Sequence, residues 1–420
     1  MATTPTTASV SKQNDAIYDR QIRLWGADSQ KKITSTNILY LNPSPLTCEI
    51  LKNLLLAGIS ATLSTPNTLQ KTAVQPMLFV DATMIGENIA SCMLPNVQEL
   101  NPLASVEADT RTISDCPDEW FGKFNIIVAD VTTMSKSDLS RVNSLARKVS
   151  ERSERAGSRE MAADTMATST TSTTKLTSLL LLLYYSTQCF CVIKNDCRTI
   201  SLRSAKNGAK MYSCGDYGFN ACCVVDLGAK HGYRPEVGKG QLGDEKFDTS
   251  FLPISDVLDA VKLSDCGGRF GGVDETFVGF KCMIEFGEKF GKGEWPTGVG
   301  GEEEVKNWLA CVGEVLKEGG LKEGYLGNEG ELGNIVKTSR CSLAVVCAVF
   351  GGVIGNEVIK AISGKGEPAC NVLCFDGRKG AVKVLKAVKM NENGNGNKGK
   401  GEEPAKKRQK VEEEEIVMLD

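Results

Sequence analysis

The sequence carries a single histidine, His231, and none of its sixteen cysteines falls in a C-x-x-C pair. The first shortage rules out His-rich zinc sites and argues against a Ser-His-Asp hydrolase. The second, with no secretory signal ahead of it, leaves the cysteines as reduced thiols of cytosol or nucleus, mostly core fillers. Charge of one sign is also lacking: a net −3 gives no overall pull toward nucleic acid, and the composition is that of an ordinary soluble globular protein. Residues 1–16 are polar, have no apolar h-region and are expected to be a disordered lead-in. At 420 residues the chain can bury a large core and hold two or three domains.

The most informative absence is local. Residues 37–59 read NILYLNPSPLTCEILKNLLLAGI, in which 37–41 is an apolar run suited to a buried strand. Leu46, Ile50, Leu51, Leu54 and Leu55 then recur at helical spacing up to a stop at Gly58. This is the outline of a Rossmann-type β-turn-α opening. Such a turn carries G-x-G-x-x-G, so that backbone N–H groups reach a phosphate at the helix N-terminus. Here it reads Asn42-Pro43-Ser44-Pro45-Leu46-Thr47, with no glycine and two prolines that each remove a donor. The acidic residue that would hold a ribose near the end of the second strand is missing too, since 61–67 reads ATLSTPN. The expectation is a Rossmann frame that has lost its own nucleotide.

The segment 18–26, YDRQIRLWG, is the most distinctive in the chain. On a helix Tyr18, Ile22 and Trp25 form a narrow apolar stripe and Asp19 can pair with Arg23, which leaves Arg20 without a local partner. The chemistry allows two readings: a solvated surface arginine, or a guanidinium fork offered to phosphate oxygens.

YDRQIRLWG is followed in order by EILKNLLLAGI, IGENIA at 85–90, LNP at 100–102, FNIIVAD at 124–130, SCGDYGF at 213–219 and FDGRKG at 375–380. This set resembles the ubiquitin-like-protein activating enzymes of the ThiF-like adenylating superfamily, over roughly 15–148, 207–228 and 335–387. Within them it is most similar to the smaller, non-cysteine subunits of the SUMO branch. The resemblance implies an α/β fold, a Rossmann-like doubly wound sheet of the ThiF/ubiquitin-activating type, with a Gly-rich middle insertion and a disordered C-terminal tail. It implies a regulatory subunit of a heterodimer whose larger, cysteine-bearing SUMO-activating subunit holds ATP, Mg²⁺ and SUMO. That partner adenylates the SUMO C-terminal carboxylate, captures it as a thioester and passes it to a SUMO-conjugating enzyme. No cofactor or metal is then expected on this chain, and no nucleic-acid or membrane partner. Arg20 would act in trans on the ATP phosphates of the partner's site. In the family the IGENIA position usually carries a basic residue acting on phosphates; Glu87 stands there in this sequence and reverses the charge. Rival readings are the NEDD8-activating regulatory subunit, a self-sufficient ThiF-like adenylating enzyme and a Rossmann oxidoreductase. The shorter middle insertion and the FDGRKG ending oppose the first, the missing glycines the other two, and the unpaired cysteines the second.

Strands are expected at 105–108, 125–129 and 210–214 and a polar-faced helix at 135–148, within a core unit of 17–148 and 207–228. Residues 149–206 do not belong to such a fold, where an αβ connection is usually about 2–6 residues. They include MATSTTSTT and LTSLLLLLYYSTQCFCVI, and removing them joins SLARK to NGAKMYSCGDYGF. A retained intron or a lineage-specific disordered insertion accounts for this; a membrane span at 176–193 would have to thread the middle of the Rossmann unit. In the middle insertion, 229–334, the run 276–286 alternates like a strand. Residues 302–317 place Val305, Trp308, Leu309, Val312, Val315 and Leu316 on one helical face. Cys266, Cys282 and Cys311 lack the context of a thioester-forming nucleophile and read as structural. The chain returns to the fold over 335–388, with a buried core or interface helix at 341–363, rich in Ala344, Ala348, Gly351, Gly352 and Gly355, and closing strands at 372–375 and 382–385. In the tail, 389–420, Lys406, Lys407, Arg408 and Lys410 resemble a nuclear-import signal, though any solvated basic cluster looks alike; nucleus with cytoplasm is the expected location. Ile416, Val417, Met418 and Leu419, preceded by four glutamates at 412–415, look like a SUMO-interacting motif; the plain alternative is an acidic C-terminus.

Overall fold

The structure, a computed structural model, describes residues 17–71, 77–148, 209–236, 242–259, 263 and 273–387. Residues 149–206, Cys266, the basic cluster 406–410 and the motif 416–419 lie outside the described residues. Helices α1 (Asp19–Trp25) and α2 (Ala27–Thr34) lead into β1 (Asn37–Leu41), α3 (Pro45–Leu56) and β2 (Ser60–Ser64). After these come α4 (Ile89–Leu100), β3 (Val106–Asp109), α5 (Asp118–Phe121), β4 (Ile126–Asp130) and α6 at 136–148. A hairpin of β5 (Lys210–Tyr217) and β6 (Asn220–Asp226) precedes a small ribbon, β7 (His231–Tyr233) with β8 (Phe247–Thr249). The chain ends its described course with α7 (Ile254–Asp259), α8 (Glu275–Lys289), α9 (Gly301–Glu318), α10 (Glu329–Lys337), α11 (Ala344–Ser363), β9 (Val372–Asp376) and β10 (Ala381–Leu385).

Eight strands form one sheet in the order β10-β9-β6-β5-β4-β1-β2-β3. From β3 to β5 neighbours run parallel, and from β5 to β10 antiparallel. The central parallel strands β1 and β4 are mostly apolar because both faces are covered, whereas the edge strand β3, VEAD, is only partly buried. In β1, Ile38 and Tyr40 enter a core with α3, α4 and α11, while Leu39 and Leu41 enter a second core with α6, α8 and α9. The doubly wound α/β expectation therefore holds for the parallel half; the antiparallel half extends it.

α11 crosses α3 closely. A Cβ at Gly351 would lie 2.7 Å from Glu49 Cβ, so only glycine permits this approach. Gly351 and Gly355 thus serve contact with α3 of the same chain, while Ala344, Ala348 and Val345, the last 75% exposed, lie on the open side of α11. α11 is long and apolar enough to cross a membrane, and half of it is buried within this fold.

One expectation fails. The run 276–286 is not a strand but the core of α8, started by Asp274, whose carboxylate accepts from Thr276 N at 2.9 Å. All residues from Thr276 to Ile284 are buried, Lys281 included, so burial along this run does not single out one helical face. Cys282 accordingly lies on this helix rather than on a strand. The middle stretch also buries Trp295 beside Gly215 of β5 and Trp308 against Phe286 of α8. By contrast the helix expected at 302–317 is α9, with Trp308, Val312, Val315 and Leu316 buried as read.

Candidate functional site

Open α/β sheets bind ligands outside the carboxyl ends of their parallel strands, at the point where strand order reverses. Here that point is the crevice beyond β1 and β4. The chain leaves β1 through Asn42, held at a left-handed φ of 52°, and Pro43, and enters α3 with Ser44 as N-cap and Pro45 in the first turn. Ser44 Oγ accepts from Thr47 N at 3.3 Å, and Thr47 Oγ1 accepts from Ser44 N at 2.7 Å. This capping box spends, inside the chain, the amide hydrogens that a phosphate would use. On the β2 side Asn42 Oδ1 accepts from Thr65 Oγ1 at 3.1 Å, and Thr65 O accepts from Asn88 Nδ2 at 2.8 Å. Asn88 also caps α4, while Glu87 beside it is exposed. Hydrogen bonds among Asn42, Thr65 and Asn88 fill the place where a ribose carboxylate was sought.

The floor of the crevice is acidic. Asp130, 1% exposed, ends β4, and Asp216, 2% exposed, lies two residues past Cys214, its register partner on β5. Asp130 Oδ1 accepts from Thr132 N at 2.8 Å, but Oδ2 has no partner among the described residues. Cys347, in the first turn of α11, donates to Asp216 Oδ2 at 3.6 Å. Burial raises the Asp130 carboxyl above its ordinary value, and burial with the Asp130 charge pushes Asp216 up to about 7. A bare triphosphate placed here would meet two carboxyls and few free amides, an unfavourable setting unless a cation lies between them.

Asp216 makes stability depend on pH. Between its ordinary value of 3.8 and about 7 the unfolded chain releases the proton while the folded chain keeps it. Stability therefore falls as pH rises through that window and levels off above it. Asp216→Asn is expected to match the wild type near pH 4 and to melt several degrees higher at pH 8, as read by scanning calorimetry. Parallel curves for both proteins would show that the buried carboxyl is not held neutral.

α1 lies elsewhere. Tyr18, its N-cap residue, is buried; its hydroxyl accepts from Asn101 Nδ2 at 3.0 Å, and the same amide donates to Leu55 O at 2.7 Å. Gly58, with φ +96°, makes room: a Cβ there would sit 2.8 Å from the Tyr18 hydroxyl. Gln21 Nε2 donates to Leu56 O at 3.1 Å. α1 is thus clamped to the C-terminal end of α3, a helix of 12 residues and ~18 Å, whose other end faces the crevice. Asp19 and Arg23 pair at 2.8 Å as expected. Arg20 is exposed, without a hydrogen-bond or ion-pair partner among the described residues, and the fold does not bring it to the chain's own crevice.

The middle thiols are not poised for nucleophilic work. Cys282 and Cys311 are buried, burial raises the Cys282 thiol, and it pushes Cys311 up to about 12. The sequence motifs contain Asp130, Asp216 and Asn101 without pointing to a role for them, and show Tyr18 only as part of an apolar stripe. An acidic residue ending or interrupting an apolar strand was the available signal for the first two.

A ThiF family model matches residues 18–396. SUMO-activating enzyme subunit 1 of Danio rerio is 25% identical over 396 residues, covering 89% of this chain and 94% of the relative. The protein of that name from Homo sapiens is 24% identical over 395 residues, covering 88% and 94%, and that from Xenopus laevis 24% over 396, covering 88% and 95%. With the family match running through the sheet and both of its helical layers, the chain belongs to the ThiF family.

Proposed function

We propose that this chain is the smaller, regulatory subunit of a heterodimeric SUMO-activating enzyme, binding no nucleotide itself and lending Arg20 to a larger, cysteine-bearing subunit that holds ATP, Mg²⁺ and SUMO. The modifier is suggested by the names of the relatives. The division of labour is carried by one observation, the self-capped Ser44–Thr47 turn with its two prolines. Two further features support it. Arg20 stands about one helix length, ~18 Å, from the chain's own crevice, at a surface from which it can enter a neighbour's site. The apolar side of α11, with Val345 exposed and Val349 and Val353 half-buried, suits a hydrophobic subunit interface. Nuclear import through Lys406, Lys407, Arg408 and Lys410, and SUMO contact through 416–419, belong to the same reading.

Calorimetric titration with Mg-ATP tests it. The chain alone is expected to give no binding heat up to about 1 mM, the upper end of ordinary KM values, and the co-purified complex to bind one nucleotide. Tight binding by the isolated chain would overturn the regulatory assignment. A complex that adenylates NEDD8 and not SUMO would move the chain to that branch.

A further inference from the structure

β10 is the outermost strand, and no strand pairs with its outer edge among the described residues. α11 covers neighbouring β9, where Phe350 stacks on Phe375 with ring centroids 5.9 Å apart, but leaves Val382 37% and Val384 53% exposed. These valines and Phe219, itself 52% exposed at the β5–β6 turn, border an open groove of about 1220 Å³. A bare apolar edge is a template for another strand, and proteins commonly guard such edges with charge. The charges here are engaged. Lys383 lies 2.8 Å from Asp274, while Arg378 and Lys379 share the single carboxylate of Asp376 at 3.4 and 3.1 Å. At the start of β10 two cations thus face one carboxylate, while Glu275 and Glu331 add negative charge elsewhere along the groove.

Residues 388–420 follow β10 in the sequence, and near their end Glu412, Glu413, Glu414 and Glu415 precede Ile416, Val417, Met418 and Leu419. Carboxylates suit Arg378 and Lys379, and the apolar residues suit the bare flank. The order matters: both the cationic turn and the glutamates come first, so matching them requires the segment to run parallel to β10. A parallel neighbour needs a crossover of about a dozen residues or more. Residues 386–411 supply roughly 25, whose coil reach of ~25–30 Å exceeds the ~17 Å of a five-residue strand. The tether also holds the segment at an effective concentration of order mM, ahead of a second copy in dilute solution.

We infer that residues 412–419 dock in cis as an added parallel strand on β10, with the glutamates at Arg378 and Lys379 and the apolar residues over Val382, Val384 and Phe219. The docked segment closes an edge that would otherwise pair with other chains. Hydrogen exchange read by mass spectrometry on the full-length chain in its purified complex tests this. Replacing Ile416, Val417 and Leu419 together by Ser changes no residue of the sheet itself. Amides of 381–385 are expected to exchange at least tenfold faster in that variant at every protein concentration, and a synthetic 411–420 peptide is expected to restore protection. Arg378→Glu with Lys379→Glu should expose the same amides, and adding Glu412→Lys with Glu413→Lys should protect them again. Equal exchange in wild type and triple variant overturns the inference. So does protection that disappears on dilution, which would mean that a second copy occupies the edge.

Discussion

Arg20→Ala, assayed with the partner subunit present, is expected to slow ATP–pyrophosphate exchange by tenfold or more, at least ~1.4 kcal/mol of barrier, without moving the melting temperature. The two halves of this expectation have separate causes. Arg20 is exposed and unpaired among the described residues, so its loss costs the fold little. In a partly dry site its guanidinium would offset charge developing on the pyrophosphate leaving group, where a fixed donor fork is worth most. Arg23 supplies the control. It sits on the same helix but is held by Asp19 at 2.8 Å, so Arg23→Ala should leave the rate unchanged. Arg20→Lys keeps the charge and loses the fork, and should fall between wild type and alanine. An Arg20→Ala complex with the full exchange rate would remove the donor role while leaving the structural role of α1 intact.

What could be read from the sequence divides by the range of the interactions involved. α3 was legible because Leu46, Ile50, Leu51, Leu54 and Leu55 all enter one core, so burial is written as a local period. α8 was misread because burial on every side erases that period, and the alternation in TFVGFKCMIEF has no physical meaning on a helix. β6 was passed over because Asn220–Asp226 builds its buried run from Ala and Cys more than from the branched residues that announce strands. In the site, the missing glycines were a local fact and could be seen. The carboxylate pair could not, since Asp130 and Asp216 meet only through the β4–β5 register, which sets Asp130 opposite Cys214. Arg20 was visible as an unpaired charge, but its place depends on Tyr18 reaching Asn101, 83 residues away, over the space left at Gly58. The three motifs that contain Tyr18, Gly58 and Asn101 could be recognised without revealing that these residues form one clamp.

Gly351→Val is expected to cost about 3 kcal/mol or more of stability, whereas Gly352→Val, one residue on, should cost almost none. At Gly351 a Cβ would stand 2.7 Å from Glu49 Cβ and 3.3 Å from the backbone of Glu49 and Ile50, so no rotamer change relieves the clash and α11 must move off α3. Moving it uncovers Phe350, Ile354 and Val358, all at 0% exposure, and this loss exceeds the ~0.3 kcal/mol of helix propensity gained by replacing glycine with valine. A 3 kcal/mol loss corresponds to a fall of roughly 6–12 °C in melting temperature. At Gly352 the nearest atom to a Cβ is Asn53 Nδ2 at 4.0 Å, which is ordinary contact. Its side chain would project from the open side of α11 beside Val345 and Val349. There it should leave the isolated chain as stable as the wild type yet reduce recovery of the larger subunit on co-purification. If Gly352→Val recovers the partner in full while Gly351→Val melts early, α11 packs against α3 as described and the subunit contact must be sought on another face. If Gly351→Val melts with the wild type, the crossing of α3 and α11 is itself wrong.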